Sequence, residues 1–302
     1  MTPGRAAVTF RRRTHRCWLV VLVLLAGVVS GCSTTVQRTP ARPASNLYAY
    51  VVDAGTDAVR VMNATTLTIV GDPIGVGAVP SEVVVGPRGQ QAYVISPLNN
   101  NVTVIDTAMR RTSGRPILVG RYPAAVAVSP DGERLYVVDG ESDDVRAIDT
   151  RSRRLVGDPV KVGDAPAAIA ISPDGRFLYV VSQFQNDMRV IDTDLWRVVG
   201  LVAVGNGPTR VVLSPNGSLA YVSDVGSGAV SLVDTAKLMV QGKPVAAGKY
   251  PSALLTSRDG SRLFVADQNS DVVRAFDTTT MKMIGQPIPT GEAPTQMVLS
   301  PN

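Results

Sequence analysis

Residues Ser172–Thr193 read SPDGRFLYVVSQFQNDMRVIDT, and this stretch decides the fold. It parses as a tight turn, a strand of β-branched and aromatic residues, a polar turn and a second strand. Tyr179, in its first strand, has counterparts at Tyr50, Tyr93, Tyr136, Tyr221 and Phe264. The steps between them are 43, 43, 43, 42 and 43 residues. A fixed period of this size, carried by strand-like units, marks a repeat architecture.

Working outward, the chain from Asn46 to Asn302 divides into six such units. Each opens on an aromatic-bearing strand: LYAYVVD, QAYVISP, RLYVVDG, FLYVVSQ, LAYVSDV and RLFVADQ. A second strand ends at Asp106-Thr107, Asp149-Thr150, Asp192-Thr193, Asp234-Thr235 and Asp277-Thr278; the first unit has Asn63-Ala64 there. A third strand ends in glycine, as in GDPVKVG, and a fourth follows a proline and runs into the next turn, as in PAAIAISPDG. The SPDG tetrad suits a type I turn leading into a left-handed glycine. No segment of useful length carries a helical period. Four strands in about 43 residues is the size of one β-propeller blade.

The YVVD, YVIS and FVAD strands, the VIDT, AIDT, LVDT and AFDT strands and the SPDG turns resemble the YVTN-type β-propeller repeat family. The resemblance covers nearly all of residues 46–302. It implies a propeller and leaves the activity open, because one fold hosts many functions. The region starts with the second, third and fourth elements of a blade and stops after one proline-led strand, PTQMVLS. The expected fold is therefore all-β: a six-bladed propeller of four-stranded antiparallel blades. The C-terminal strand completes the first blade, so no sheet edge is left open at the seam. Small residues, Ala125, Ala127, Ala168, Ala170 and Ala253, suit the crowded innermost strands.

Residues 1–31 read as a targeting segment. Arg5, Arg11, Arg12, Arg13 and Arg16 precede the apolar run Cys17–Ser30, which is shorter than the roughly 20 residues that span a bilayer. Val29-Ser30-Gly31-Cys32 resembles the lipobox of bacterial lipoproteins. That resemblance implies lipidation of Cys32, cleavage before it and fatty acylation of the new N-terminus. Residues 32–45, polar and with two prolines, read as a tether, and 46–302 as the propeller domain. The expected address is extracytoplasmic, at a bacterial cell membrane, held by the lipid on Cys32.

Removing the leader changes the charge argument. The whole chain carries 30 basic and 25 acidic side chains, and the excess of five lies in residues 1–31. The mature chain is near neutral and has no global basic field to attract nucleic acid. Its only cysteine is Cys32, and the single histidine, His15, leaves with the leader. Disulfides, Cys/His zinc sites and histidine catalysis are thereby excluded within one mature chain. No cofactor is indicated. The acidic loop Asp139–Asp144 offers oxygen ligands but lacks EF-hand spacing, and it reads as a structural turn.

Comparing the repeats with one another separates scaffold from candidate residues. The SPDG and IDT corners barely vary, whereas the loops of the opposite face do, and binding residues gather on irregular loops. The second residue past each loop proline approaches the channel mouth: Glu82, Ala125, Ala168, Arg210, Ala253 and Gln296. Glu82, Arg210 and Gln296 form either a charged seat for a small polar ligand or a solvated entrance with balanced charges. Arg121-Tyr122 and Lys249-Tyr250 make two similar corners three blades apart, and Phe184 tops a neighbouring loop; they suit contact with a protein or glycan, or merely cover blade edges.

The absence of histidine favours a non-catalytic binding or scaffolding module for an envelope protein or small ligand. The alternative is a propeller enzyme of lactonase or lyase type, as the resemblance also implies, with Glu82 and Arg210 as its acid/base and electrophilic pair.

Overall fold

In a computed structural model, residues 47–297 are described. They form six antiparallel sheets in a ring, with two single-turn helical segments, Pro97–Asn99 and Val225–Ser227, as the helical content of the described residues. The leader, the tether, Cys32 and residues 298–302, where the C-terminal strand expected to complete the first blade would end, lie outside the described residues.

The third and fourth blades show the blade plan in full. In the third, Pro123–Val128 is innermost, then Arg134–Asp139, Asp144–Asp149 and the outer strand Arg154–Lys161. The innermost strands of the second to sixth blades begin at Glu82, Pro123, Pro166, Pro208 and Pro251, and neighbours pack on one another around the axis. At the seam, the C-terminal segment reaches the channel. The Ser252 hydroxyl donates to the Pro294 carbonyl at 2.6 Å, and Gln296 and Met297 stand beside Glu82.

The outer strands depart from the expected single piece. In the first, second and fifth blades two short strands replace one, for example Arg111–Thr112 and Ile117–Leu118. Between them lies a left-handed glycine, Gly71, Gly114 or Gly242, followed within two residues by proline. Proline has no N–H for the ladder, and the rim is the place where its loss costs least. The pair alone does not divide a strand: the third blade has left-handed Gly157 and Pro159 inside Arg154–Lys161, which stays whole with an irregular register, and in the fourth blade Arg197–Ala203 lacks the proline and is also continuous.

Two devices fix one blade against the next. At the SPDG turn and its SRDG counterpart in the sixth blade, Gly175 and Gly260 have φ of 78° and 72°, the left-handed conformation expected. They also lie against the preceding turn: a Cβ on Gly260 would fall 3.0 Å from Pro215 Cδ. The second device uses the repeated tyrosines, which are nearly fully buried. The hydroxyls of Tyr50, Tyr93, Tyr136, Tyr179 and Tyr221 reach Thr107, Thr150, Thr193, Thr235 and Thr278, each on the following blade. Each threonine hydroxyl donates in turn to a glycine carbonyl of its own blade's turn, at 2.6–2.9 Å. The sixth tyrosine position is Phe264, and the first blade has Ala64 where the threonine would be. Both hydroxyls are lost together where the sixth blade meets the first. Apolar clusters fill the spaces between adjacent blades, from first to sixth.

Candidate functional site at the channel

Glu82, Arg210 and Gln296, singled out because their repeat counterparts are alanine, line one cavity of about 290 Å³ on the axis. Glu82 opens the second blade's inner strand and Arg210 lies in Pro208–Leu213 of the opposite blade. The small side chains of Ala125, Ala168 and Ala253 leave the space that the three polar ones face.

Glu82 is half-buried in the cavity wall, and the protein packed around its carboxyl desolvates it and pushes its pKa up to about 7. The positive charge of Arg210 and the Val126 N–H, which donates to Glu82 Oε2 at 3.1 Å, oppose the shift without cancelling it. Arg210 is not spent on an ion pair among the described residues: its Nη1 donates to the Thr209 carbonyl at 3.0 Å. Ser81 Oγ and Gln296 Oε1, also at the cavity, are buried with no hydrogen-bond partner. Buried polar atoms are normally paired, so the Gln296 oxygen can accept from, and the Ser81 hydroxyl can donate to or accept from, something that enters. The arrangement offers a group able to take or give a proton near neutral pH, a cation across from it and spare hydrogen-bonding atoms.

Arg121, Tyr122, Phe184, Lys249 and Tyr250 do not line this cavity. Phe184 is 74% exposed, and the Arg121 guanidinium pairs with Glu141 at 3.1 Å on the surface. The two Arg/Lys-Tyr corners are less alike than their sequences. Tyr122 is left-handed, with φ 54°, and its N–H is held by Asn100 Oδ1 at 2.8 Å. The N–H groups of Lys249 and Tyr250 both go instead to the carboxylate of Asp267, at 3.0 and 2.8 Å.

Sequence reading overlooked a set of wholly buried carboxylates on the same side of the blades. Asp53, Asp139, Asp224 and Asp267 end the aromatic strands, where the second and fourth blades have Ser96 and Ser182. Asp139 is pushed up to about 7 and Asp224 to about 6, in both cases chiefly by burial. Within the acidic loop, Asp143 accepts from the Ala165 N–H at 3.0 Å, and Asp144 pairs with Arg146 and Lys161. The signal that would have found the buried aspartates is the Asp/Ser alternation at a single repeat position.

The model of the family described as "Lactonase, 7-bladed beta-propeller" matches residues 41–194, just over half of the chain. The chain belongs to this lactonase family. Its ring departs from the family description in having six blades. Among curated proteins no sequence matches it. Solved structures share the fold at low identity. Hydrazine synthase of Kuenenia stuttgartiensis has a TM-score of 0.72 at 19% identity, covering 87% of this chain and 92% of that one. A candidate 6-phosphogluconolactonase from Bacteroides uniformis has a TM-score of 0.71 at 15% identity, covering 85% of each chain. A protein of unknown function from Desulfotomaculum acetoxidans has a TM-score of 0.70 at 18% identity, covering 83% of each chain.

Membership of the lactonase family overturns the expectation of a non-catalytic module. That expectation rested on the missing histidine. Yet the service that histidine gives, a proton acceptor poised near neutrality, is within reach of a carboxylate whose pKa has risen to about 7.

Proposed function

We propose that the protein hydrolyses a small polar lactone in the channel cavity. The observation that carries the reading is Glu82, held near pKa 7 in a confined site that it shares with the Arg210 cation and the unpartnered Gln296 and Ser81 oxygens. Ester hydrolysis needs a base to activate water and positive charge where the carbonyl oxygen becomes anionic. Glu82 takes a proton from water as its oxygen bonds to the carbonyl carbon. The ring C–O bond then breaks, and the proton on Glu82 passes to the departing ring oxygen, giving a hydroxy acid. Arg210 offsets the negative charge on the carbonyl oxygen, and Gln296 and Ser81 accept hydrogen bonds from substrate hydroxyls. The family membership supports this reading.

Turnover of a panel of γ- and δ-lactones by the purified propeller tests it. Hydrolysis above the uncatalysed rate that disappears in Glu82→Gln supports the proposal. Hydrolysis equal in wild type and Glu82→Gln, or absent across the panel, refutes it.

The mature protein is further proposed to act outside the cytoplasm, held to the membrane by lipid on Cys32. The order of basic residues, short apolar run and Val29-Ser30-Gly31-Cys32 supports this. Lipid chains on one cysteine, at ~0.8 kcal/mol per buried CH₂, give stable anchoring when more than one is present.

A further inference from the structure

The innermost strands leave one backbone edge unpaired around the channel, and the register says which groups that edge carries. In an antiparallel pair, alternate residues direct their N–H and C=O to the partner strand and the residues between direct theirs away. The N–H groups of Ser129, Ser172, Ser214 and Ser257 donate to the carbonyls of Arg134, Phe177, Leu219 and Arg262, at 2.8–2.9 Å. Counting back by twos, Ala125, Ala168, Arg210 and Ala253 also bond to their second strands. Val126, Ile169, Val211 and Leu254 fall between and turn their N–H groups to the channel.

Two contacts agree with this parity. The Val126 N–H meets a side chain from the preceding blade, Glu82 Oε2, at 3.1 Å. The carbonyl of Leu213, of the same parity as Val211, accepts from Thr256 Oγ1 of the next blade at 3.2 Å. The first contact also shows what such an amide binds, namely a carboxylate oxygen. At the other three amides, the residue that stands where Glu82 stands on the preceding blade is Ala125, Ala168 or Arg210, respectively. Two are too short to reach and the third is a donor with no acceptor. Ile169, Val211 and Leu254 all line the cavity beside Arg210.

We infer that the channel-facing amides of Ile169, Val211 and Leu254, with the Arg210 guanidinium, form a seat for a carboxylate-sized oxyanion. Under the lactonase reading, on which its catalytic role rests, the seat receives the lactone carbonyl oxygen as it turns anionic and then the carboxylate of the hydroxy acid. Fixed backbone donors need no reorganisation as the charge develops, and that is where such sites gain their strength. Product therefore binds on the same donors as the transition state and inhibits competitively.

The probe is 4-hydroxybutyrate, the product of γ-butyrolactone hydrolysis, titrated into the wild-type propeller while backbone ¹H–¹⁵N signals are followed. The amide signals of Ile169, Val211 and Leu254 are expected to shift in a saturable manner, ahead of Val180 in the fourth blade's second strand, which lies away from the channel. Proline at Val211 or Leu254 removes a channel-facing N–H without touching a ladder bond, a place where sheets tolerate it. Each should weaken binding about tenfold or more, the loss of one charge-assisted hydrogen bond. Unshifted amides in the wild type overturn the seat, with no variant needed; unchanged affinity in the folded proline variants does so too. Amide shifts without lactone turnover would keep the seat and remove the lactonase reading, and turnover without shifts would do the reverse.

Discussion

Glu82 on the second blade and Val126 on the third are joined by a hydrogen bond of 3.1 Å from the backbone N–H to the carboxylate. That bond ties together the two features that set the channel apart. It fixes the one inward carboxyl, and it fills the one channel-facing amide that has a carboxylate within reach. Without it the Glu82 pKa would rise further, since burial is the larger influence and the amide opposes it.

A pH profile follows. A general base must be ionised, so kcat/KM for a lactone should rise with pH and level off above about 7, the pKa of Glu82. Glu82→Gln keeps an oxygen for the Val126 N–H but removes the base, and should lower kcat by roughly 10²–10⁴. Initial rates between pH 5 and 9 check this; a profile flat across pH 7, or a variant within twofold of wild type, contradicts it.

Asp224 and Asp267 hold the same repeat position on adjacent blades and respond oppositely to pH. For Asp267, burial is the largest influence and acts upward. Hydrogen bonds from Ser270, the Tyr250 N–H, Arg274 and the Lys249 N–H together outweigh it and hold the pKa at about 2. Asp224 has Ser231 where Asp267 has Arg274; one carboxylate oxygen has no partner, and burial raises the pKa to about 6. A raised carboxyl pKa opposes folding as the group ionises, so the penalty appears as pH rises past the usual carboxylate value and is complete above about 6. Asp224→Asn should therefore melt at or above the wild-type temperature at pH 8, with the advantage vanishing near pH 4. Asp267→Asn should melt lower at pH 8, because a depressed pKa stabilises the fold above the ordinary value. Thermal melts of both variants at the two pH values decide it.

The repeat period, the blade boundaries and the Glu82–Arg210–Gln296 grouping were legible because each is a pattern, or a break in a pattern, along one chain. Other features were not. The channel-facing amides depend on strand register, which the same residues hold whichever edge they present. The raised pKa of Glu82 comes from its setting in a cavity walled by alanines on three other blades, Ala124 and Ala167 among them, and no local motif records that setting. The missing histidine was read as missing catalysis for that reason. The divided outer strands sit at glycine–proline pairs, but the third blade carries the same pair, Gly157 and Pro159, inside one continuous strand, so the sequence does not distinguish a divided strand from a whole one.

The tyrosine–threonine contacts between blades predict a graded loss of stability. Thr150 stands against the Tyr93 hydroxyl of the preceding blade and donates its own proton to the Gly132 carbonyl at 2.7 Å. Thr150→Val keeps the shape and removes the hydroxyl, leaving Tyr93 with Gln91 as its described partner, at 2.7 Å. The cost should be about 1–2 kcal/mol, the range for a part-buried hydrogen bond whose partner is left behind. The Tyr93→Phe and Thr150→Val double variant should lose less than the two singles added, as residues in contact do. Denaturant unfolding of the three variants measures the coupling, and strict additivity would refute the contact.

The anchor is the part of the proposal furthest from the propeller, and it can be tested without reference to activity. The proposed lipobox processing would put the lipid on Cys32, so a fatty-acid analogue fed to cells should label the wild type and leave Cys32→Ala unlabelled. Because cleavage before residue 32 depends on the same lipobox, the variant keeps the apolar run Cys17–Ser30, so labelling and not membrane fractionation is the deciding readout. Both proteins should melt alike, because Cys32 lies well before the first blade strand at Tyr48. Equal labelling of the two proteins would place the lipid elsewhere or nowhere.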